Sequence, residues 1–247
     1  MPALHDHVTT LKIMEQSEQL TLRNKVAMVM REDGKHGKAI AIALQEAGAL
    51  VAEGVSEMKP RDAVGNTISK FGHLDILVTT PIVPQAAAAE SISTEQFKQN
   101  IELNLGEVFF WCQAAAEQMS LQNPVGGTII NVSSVNGVVA LPGQVAFCAA
   151  MAGVNAMTKT LGTEWQELGI RVLGLGAGLG RDALETMTLE TLLPDGSAGH
   201  RRLPGNTLTT AYELGQVAAY LASDAARLIS GTTVYADGGW LADGYWQ

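Results

Sequence analysis

The chain has 247 residues, 47% of them hydrophobic and 5% aromatic, with a formal net charge of −9 and a sequence pI near 5.0. This length and apolar fraction suit one large α/β domain, and the negative charge repels phosphate backbones and lipid headgroups, so nucleic acid and membranes are not expected partners. The start of the chain has no export-signal pattern, and Cys112 and Cys148 have neither metal-binding nor disulfide spacing, so we expect a cytoplasmic protein.

Short apolar runs alternate along the chain with longer segments of helical period, a pattern typical of a parallel sheet with helices on both faces. The predicted elements, in chain order, are strand Val26–Met30, helix Lys38–Ala47, strand Leu50–Val55, helix Arg61–Lys70, strand Asp75–Thr79, helix Thr94–Met119, strand Thr128–Val132, helix Val145–Leu168, strand Arg171–Gly176, helix Ala211–Leu221 and strand Thr232–Ala236.

One domain is predicted over residues 22–247, preceded by an N-terminal extension at 1–21. Residues 179–210 contain Pro, Gly and Arg without a regular period, and a segment of this length inside a compact domain is usually a lid or a binding loop. We therefore expect residues 179–210 to cover a substrate site.

Six segments resemble, in this order, the landmarks of the short-chain dehydrogenase/reductase family. They are LRNKVAMVM, FGHLDILV, FKQNIELNLGEVFFWCQAAAEQM, GGTIINVSSVNG, GIRVLGLGAG and LASDAARLISGTTVYADGGW. The resemblance implies a Rossmann-type doubly wound parallel sheet, subunits that form dimers or tetramers and, in active members, hydride transfer with NAD or NADP.

The connection between the second strand and FGHLDILV is shorter than the family pattern. Residues 56–70 leave room for one helix, whereas the family has a helix, a third strand and another helix there. We expect a single sheet of six strands, in the order 2-1-4-5-6-7 of the family's numbering, without the usual third strand and the helix before it. One wall of the adenine pocket would be lost with them.

The loop after the first strand departs from the family's glycine pattern. Family members carry TGxxxGxG here, because glycine permits a tight turn and lets backbone N–H groups approach a pyrophosphate. In MREDGKHG, Arg31 and Lys35 replace two glycines and only Gly37 remains. A solvated charged turn is the favoured interpretation, with binding of another anion by Arg31, Lys35, His36 and Lys38 as the alternative. No dinucleotide is expected on this chain.

The family's catalytic tetrad is half present. Asn104 and Ser134 match two of its members, but Phe147 stands at the tyrosine position and Met151 at the lysine position. Phenylalanine has no exchangeable proton and a thioether has no charge. We therefore expect none of these four residues to act in catalysis, with Asn104 and Ser134 kept as structural hydrogen-bonding residues. The five histidines show no metal-ligand spacing, and no metal is expected.

These departures favour a non-catalytic subunit that assembles with an active, related dehydrogenase into a hetero-oligomer, most simply a tetramer. NAD or NADP would then lie in the partner subunit, and the complex would oxidise an alcohol such as a hydroxyacyl-coenzyme A. Two alternatives stay open: a regulator that binds an acyl or aromatic ligand, and an active oxidoreductase with displaced catalytic residues.

Overall fold

A computed structural model gives the fold and describes residues 18–31, 34–53, 58–82, 87–178 and 208–242. Most of the predicted N-terminal extension and residues 179–207 of the predicted lid lie outside these ranges. Among the described residues, no helix combines the length and the apolar character needed to cross a bilayer.

Six parallel strands form a single sheet in the order β2-β1-β3-β4-β5-β6. They are β1 (Val26–Val29), β2 (Leu50–Val51), β3 (Ile76–Thr79), β4 (Gly127–Ser134), β5 (Ile170–Ala177) and β6 (Thr233–Ala236). The predicted sheet is confirmed, because no described residue between β2 and β3 forms the family's extra strand. The predicted second strand was too long, since β2 ends at Val51 and Val55 lies outside the described residues.

Within the described ranges, six α-helices connect the strands. They are α1 (Lys35–Glu46), α2 (Pro60–Phe71), α3 (Thr94–Ile101), α4 (Glu107–Leu121), α5 (Val145–Glu164) and α6 (Ala211–Ala222). The helix predicted over 94–119 is interrupted by a π-helical turn at Glu102–Gly106, which separates α3 from α4. Such a turn shifts the backbone hydrogen bonds by one residue and often marks a functional position.

The helices cover both faces of the sheet. Successive side chains of a strand point to opposite faces, so Ile129 packs with α2, α4 and α5 while Ile130 packs with α1 and α6. Glycine lets α1 and α6 approach closely on the second face, because a Cβ on Gly215 would lie 2.7 Å from the Ala39 carbonyl oxygen. A sheet buried on both faces leaves the carboxyl ends of its strands as the natural place for a ligand.

Arg171 on β5 ties the opposite end of the sheet to the segment that follows α6. Its guanidinium donates to the carbonyl oxygens of Ala226 and Ile229 at 3.1 Å each, to that of Leu221 at 3.1 Å and to Thr128 Oγ1 at 3.0 Å. Burial lowers the pKa of Arg171 from its ordinary value, and the charge of Asp224 opposes that effect. The contacts hold the chain just before β6.

Replacing Arg171 by Met should lower the free energy of unfolding by about 2–4 kcal/mol, because several partly buried carbonyl groups lose their donor. The exposed Arg227, close in sequence to the same segment, provides the matched control, and Arg227→Met should change stability by less than about 0.5 kcal/mol. Urea unfolding followed by circular dichroism measures both values. Equal values for the two variants would contradict the role given to Arg171.

A buried polar cluster joins the middle of the sheet to α4 and α5. Asn131 Oδ1 accepts from Thr79 Oγ1 at 3.0 Å and from Cys112 Sγ at 3.1 Å, and Asn131 Nδ2 donates to Thr158 Oγ1 at 3.1 Å. Burial raises the pKa of the Cys112 thiol to about 12. Cys112 therefore stays protonated in the folded protein at neutral pH.

This raised pKa predicts a loss of stability in alkali. Below about pH 9 the thiol is protonated in both the folded and the unfolded chain, and between pH 9 and 12 only the unfolded chain releases the proton. Each pH unit in this window should then cost about 1.4 kcal/mol of unfolding free energy. Denaturant unfolding at pH 8–11 should show that the free energy of unfolding declines less steeply with pH for Cys112→Val than for the native sequence. Parallel plots of this free energy against pH would show the prediction wrong.

Candidate functional site

The crevice between β1 and β3 is the topological switch point of the sheet, because the chain leaves β1 toward β2 on one side and returns to β3 on the other. Open α/β sheets bind their ligands outside the carboxyl ends of the strands at such a point. Arg31 occupies this crevice. It lies two residues after the end of β1 and has a φ of 58°, a left-handed conformation that favours glycine.

The guanidinium of Arg31 makes three contacts across the crevice. It donates through Nη1 to the Thr80 carbonyl oxygen after β3, through Nη2 to the Leu103 carbonyl oxygen at 2.8 Å, and through Nη2 to Glu107 Oε2 at 2.8 Å. Its side chain is 16% exposed. The predicted solvated turn is therefore wrong at Arg31, because the side chain turns inward and finds acceptors on the other side of the crevice.

The other predicted loop residues lie at the start of α1. Lys35 and Lys38 are exposed, whereas Gly37 is buried against the sheet. Gly34 precedes the helix with extended backbone and no side-chain cap. The first turn of α1 thus keeps the helix N-terminus that the family directs at a pyrophosphate, but Arg31 replaces a glycine in the loop before it.

These residues do not fit a dinucleotide as they stand. A cofactor lying across the carboxyl ends of β1 and β3 would meet the guanidinium, and a glycine at position 31 would leave that volume open. The described residues between β2 and α2 form no third strand, so they provide no strand for one side of an adenine pocket. The crevice accepts a dinucleotide only if Arg31 leaves it.

Asn104 lies within the π-helical turn between α3 and α4 and is buried. Its Oδ1 accepts from the backbone N–H of Ile82 at 2.7 Å, and its Nδ2 donates to Asn100 Oδ1 at 3.4 Å. The side chain therefore joins the helix bend to the segment that follows β3. Leu103, whose carbonyl oxygen accepts a hydrogen bond from Arg31, belongs to the same turn. The turn therefore presents groups to both sides of the site.

Ser134 ends β4 and begins a short hydrogen-bonded chain. Ser134 Oγ accepts from the Asn136 backbone N–H at 3.2 Å and donates to Asn136 Oδ1 at 3.2 Å. Asn136 Nδ2 in turn donates to Gln144 Oε1, immediately before α5. Sequence reasoning identified Ser134 but missed Asn136 and Gln144, since neither belongs to the family's catalytic pattern.

Phe147 and Met151 lie one turn apart on α5, as their spacing predicts. Phe147 is 2% exposed and Met151 is fully buried, and both join the core beneath the sheet. They differ in their relation to the site, because Phe147 lines a cavity and Met151 does not. Phe147 therefore forms part of the cavity wall, whereas Met151 packs within the core.

The cavity beside Phe147 has a volume of about 260 Å³. It lies between α3, the π-helical turn and the start of α5. Its lining combines apolar residues with five side-chain amides, which are Gln96, Gln99, Asn100, Asn104 and Gln144. No described lining residue is charged or titratable, so the cavity is suited to an uncharged ligand with hydroxyl or carbonyl groups.

A second cavity, of about 390 Å³, has Arg31 in its wall. Its lining combines Arg31 with residues just after β1, around the start of α2 and in the first turns of α4, which are Met30, Met58, Lys59, Pro60, Glu107, Phe110 and Trp111. Glu107 is a site residue that sequence reasoning missed, because nothing local links two residues 76 positions apart. Among the described residues, no group of His, Cys, Asp or Glu could hold a metal ion.

Comparison with known proteins supports the family assignment. A family model described as enoyl-(acyl carrier protein) reductase matches residues 25–241. D-threitol dehydrogenase of Mycolicibacterium smegmatis is 33% identical over 77% of this chain and 70% of its own length. 3beta-hydroxysteroid dehydrogenase 1 of Eggerthella lenta is 32% identical over 85% of this chain and 81% of its own length.

The same fold occurs in a crystal structure of a gluconate 5-dehydrogenase from Burkholderia cenocepacia in complex with NADP and tartrate. It has a TM-score of 0.80 and 24% identity over 92% of this chain and 99% of that chain.

These relatives contradict one prediction. The chain was expected to be a non-catalytic subunit, yet the proteins it matches over most of its length are named as dehydrogenases. They likewise give no support to the expectation that this chain binds no dinucleotide. The matching family model, the relatives and the six-stranded parallel sheet agree. The chain belongs to the short-chain dehydrogenase/reductase family of oxidoreductases.

Proposed function

We propose that the protein interconverts a hydroxyl and a carbonyl group on a small uncharged compound bound in the cavity beside Phe147. The observation that carries this proposal is the amide lining of that cavity at the carboxyl edge of a short-chain dehydrogenase sheet. The dehydrogenase names of its relatives support the reaction class. A nicotinamide dinucleotide is the redox partner proposed from the family.

The lining favours a small polyol or hydroxyketone. Side-chain amides both donate and accept, so they can pair with hydroxyl groups and with a carbonyl oxygen. Ligand sites usually have volumes of about 300–1,000 Å³, and this cavity lies just below that range. Between the substrates named for its relatives, the four-carbon D-threitol suits the volume better than a steroid.

Ser134 is not among the described residues that line the cavity, and we propose that it positions the substrate oxygen through Asn136 and Gln144. It stands at the end of β4, and the hydrogen bonds through Asn136 to Gln144 link it to the wall of the cavity. Orientation of the substrate is thus the part of the reaction that these side chains support.

The proton of the reaction is proposed to exchange with water. Phe147 and Met151 have no exchangeable proton, and the described cavity lining has no titratable group. Positioned acid–base catalysis is worth roughly 10²–10⁴ in rate, so turnover should be slower by about that factor than with a tyrosine at position 147. Assembly with a second, related chain stays a prediction and is independent of this chemistry.

Turnover by the purified chain tests the proposed function. Absorbance of NADH or NADPH is followed with D-threitol, shorter and longer polyols and a 3β-hydroxysteroid, and slow turnover of a small polyol is expected. Gln144→Ala should raise KM for that polyol several-fold, because the lining loses one amide and Asn136 loses its acceptor. The exposed Gln113→Ala on α4 is the matched control. Absence of turnover with every alcohol and both dinucleotides would overturn the proposal.

Phe147→Tyr should increase the turnover number by about 10²-fold, since it adds a hydroxyl group at the edge of the cavity. The pH dependence of the rate should also differ from that of the native chain, because the tyrosine hydroxyl would then take part in the proton transfer. Phe147→Leu is the control and should give neither effect, although it also alters the cavity wall. Steady-state kinetics between pH 6 and 10 measure both. A tyrosine variant no faster than the native chain would show that the missing proton donor does not limit the rate.

A further inference from the structure

Arg31 makes a set of contacts that the proposed reaction does not use. Arg31 combines a strained backbone, a side chain that is 16% exposed, and acceptors after β3, in the π-helical turn and in α4. A non-glycine residue in the left-handed region is strained, because its Cβ lies too close to the following carbonyl oxygen. The contacts of the guanidinium must offset that strain for Arg31 to remain in this conformation.

Two of the three acceptors belong to segments that border the cofactor crevice. Thr80 follows β3, and Leu103 lies in the π-helical turn that also carries Asn104. The guanidinium therefore bridges the crevice from the β1 side to the opposite wall. Its planar fork of donors suits this role, because it satisfies several acceptors at once from one side chain.

The third acceptor, Glu107, differs from the other two. Its side chain is 41% exposed and reaches Arg31 from the first turn of α4. An ion pair with one solvated partner contributes little net energy, because water competes for the exposed charge. A phosphate oxygen is an alternative anionic acceptor for the same guanidinium. Glu107 is thus the contact most easily exchanged for an anionic ligand.

We propose that Arg31, held by Glu107, is an internal wedge that closes the dinucleotide crevice of the free chain. Entry of a nicotinamide dinucleotide requires the guanidinium to leave its acceptors, which weakens binding by the free energy of those contacts. The inference rests on the proposed function in one respect only: it takes a nicotinamide dinucleotide as the ligand of the crevice. It deepens that function by naming the residue that controls access.

Isothermal titration of NADH and NADPH into the full chain tests the wedge. Arg31→Gly removes the side chain and supplies the residue that a φ of 58° favours, so the dissociation constant should fall at least tenfold. Glu107→Gln keeps the shape of the side chain but removes its charge, and should lower the dissociation constant several-fold. Arg61→Gln, which breaks the exposed ion pair of Arg61 with Glu117, is the control and should leave binding unchanged.

Equal dissociation constants for the native chain, Arg31→Gly and Glu107→Gln would overturn the wedge. So would weaker binding by both variants, because Arg31 would then be a ligand of the cofactor instead of an obstacle. Circular dichroism checks the fold of each variant. If Arg31→Gly does not fold, Glu107→Gln decides by the same criterion.

Binding and turnover separate this inference from the proposed function. Tighter binding by Arg31→Gly without turnover of any alcohol would support the wedge and refute the proposed reaction. Turnover by the native chain, with no tighter dinucleotide binding by Arg31→Gly, would support the proposed reaction and refute the wedge.

Discussion

A parallel sheet covered on both faces places a strict constraint on where this molecule can bind anything. Its strands are buried by α2, α4 and α5 on one face and by α1 and α6 on the other. Polar side chains can then gather around a ligand only where the strands end. The residues after β1, β3 and β4 meet at this edge, and the identity of each decides which ligands the edge accepts.

The edge is divided into two parts with different chemistry. At the switch point, the guanidinium of Arg31 and the carboxylate of Glu107 form an ion pair. Toward α5, the lining of the cavity beside Phe147 has amides and apolar groups and, among its described members, no charge. The π-helical turn separates the two parts and contributes to both, with Leu103 accepting from Arg31 and Asn104 holding the segment after β3. A shift of this turn would therefore alter both parts together.

Family membership and local chemistry constrain the function in different ways. The match over residues 25–241 and the named relatives indicate an oxidoreductase. Phe147 and Met151 remove the side chains through which the family usually moves a proton, and Arg31 fills the volume of a phosphate loop. An oxidoreductase with these residues must take its proton from elsewhere and must open its crevice before a dinucleotide can enter. The proposed orientation of a substrate by Ser134 and the amide lining does not depend on either residue change.

The order of elements and the short connection between β2 and β3 were determined by the sequence alone, because apolar runs of period 2 and 3.6 and the length of each connection are local properties. The residues at the catalytic positions followed equally from spacing along α5. Only the tertiary structure decided the direction of Arg31, since its partners lie 49, 72 and 76 positions away and no local pattern links them. The hydrogen bonds from Ser134 to Gln144 and the π-helical turn also depended on packing, because backbone and amide groups choose their partners from whatever the fold brings within reach.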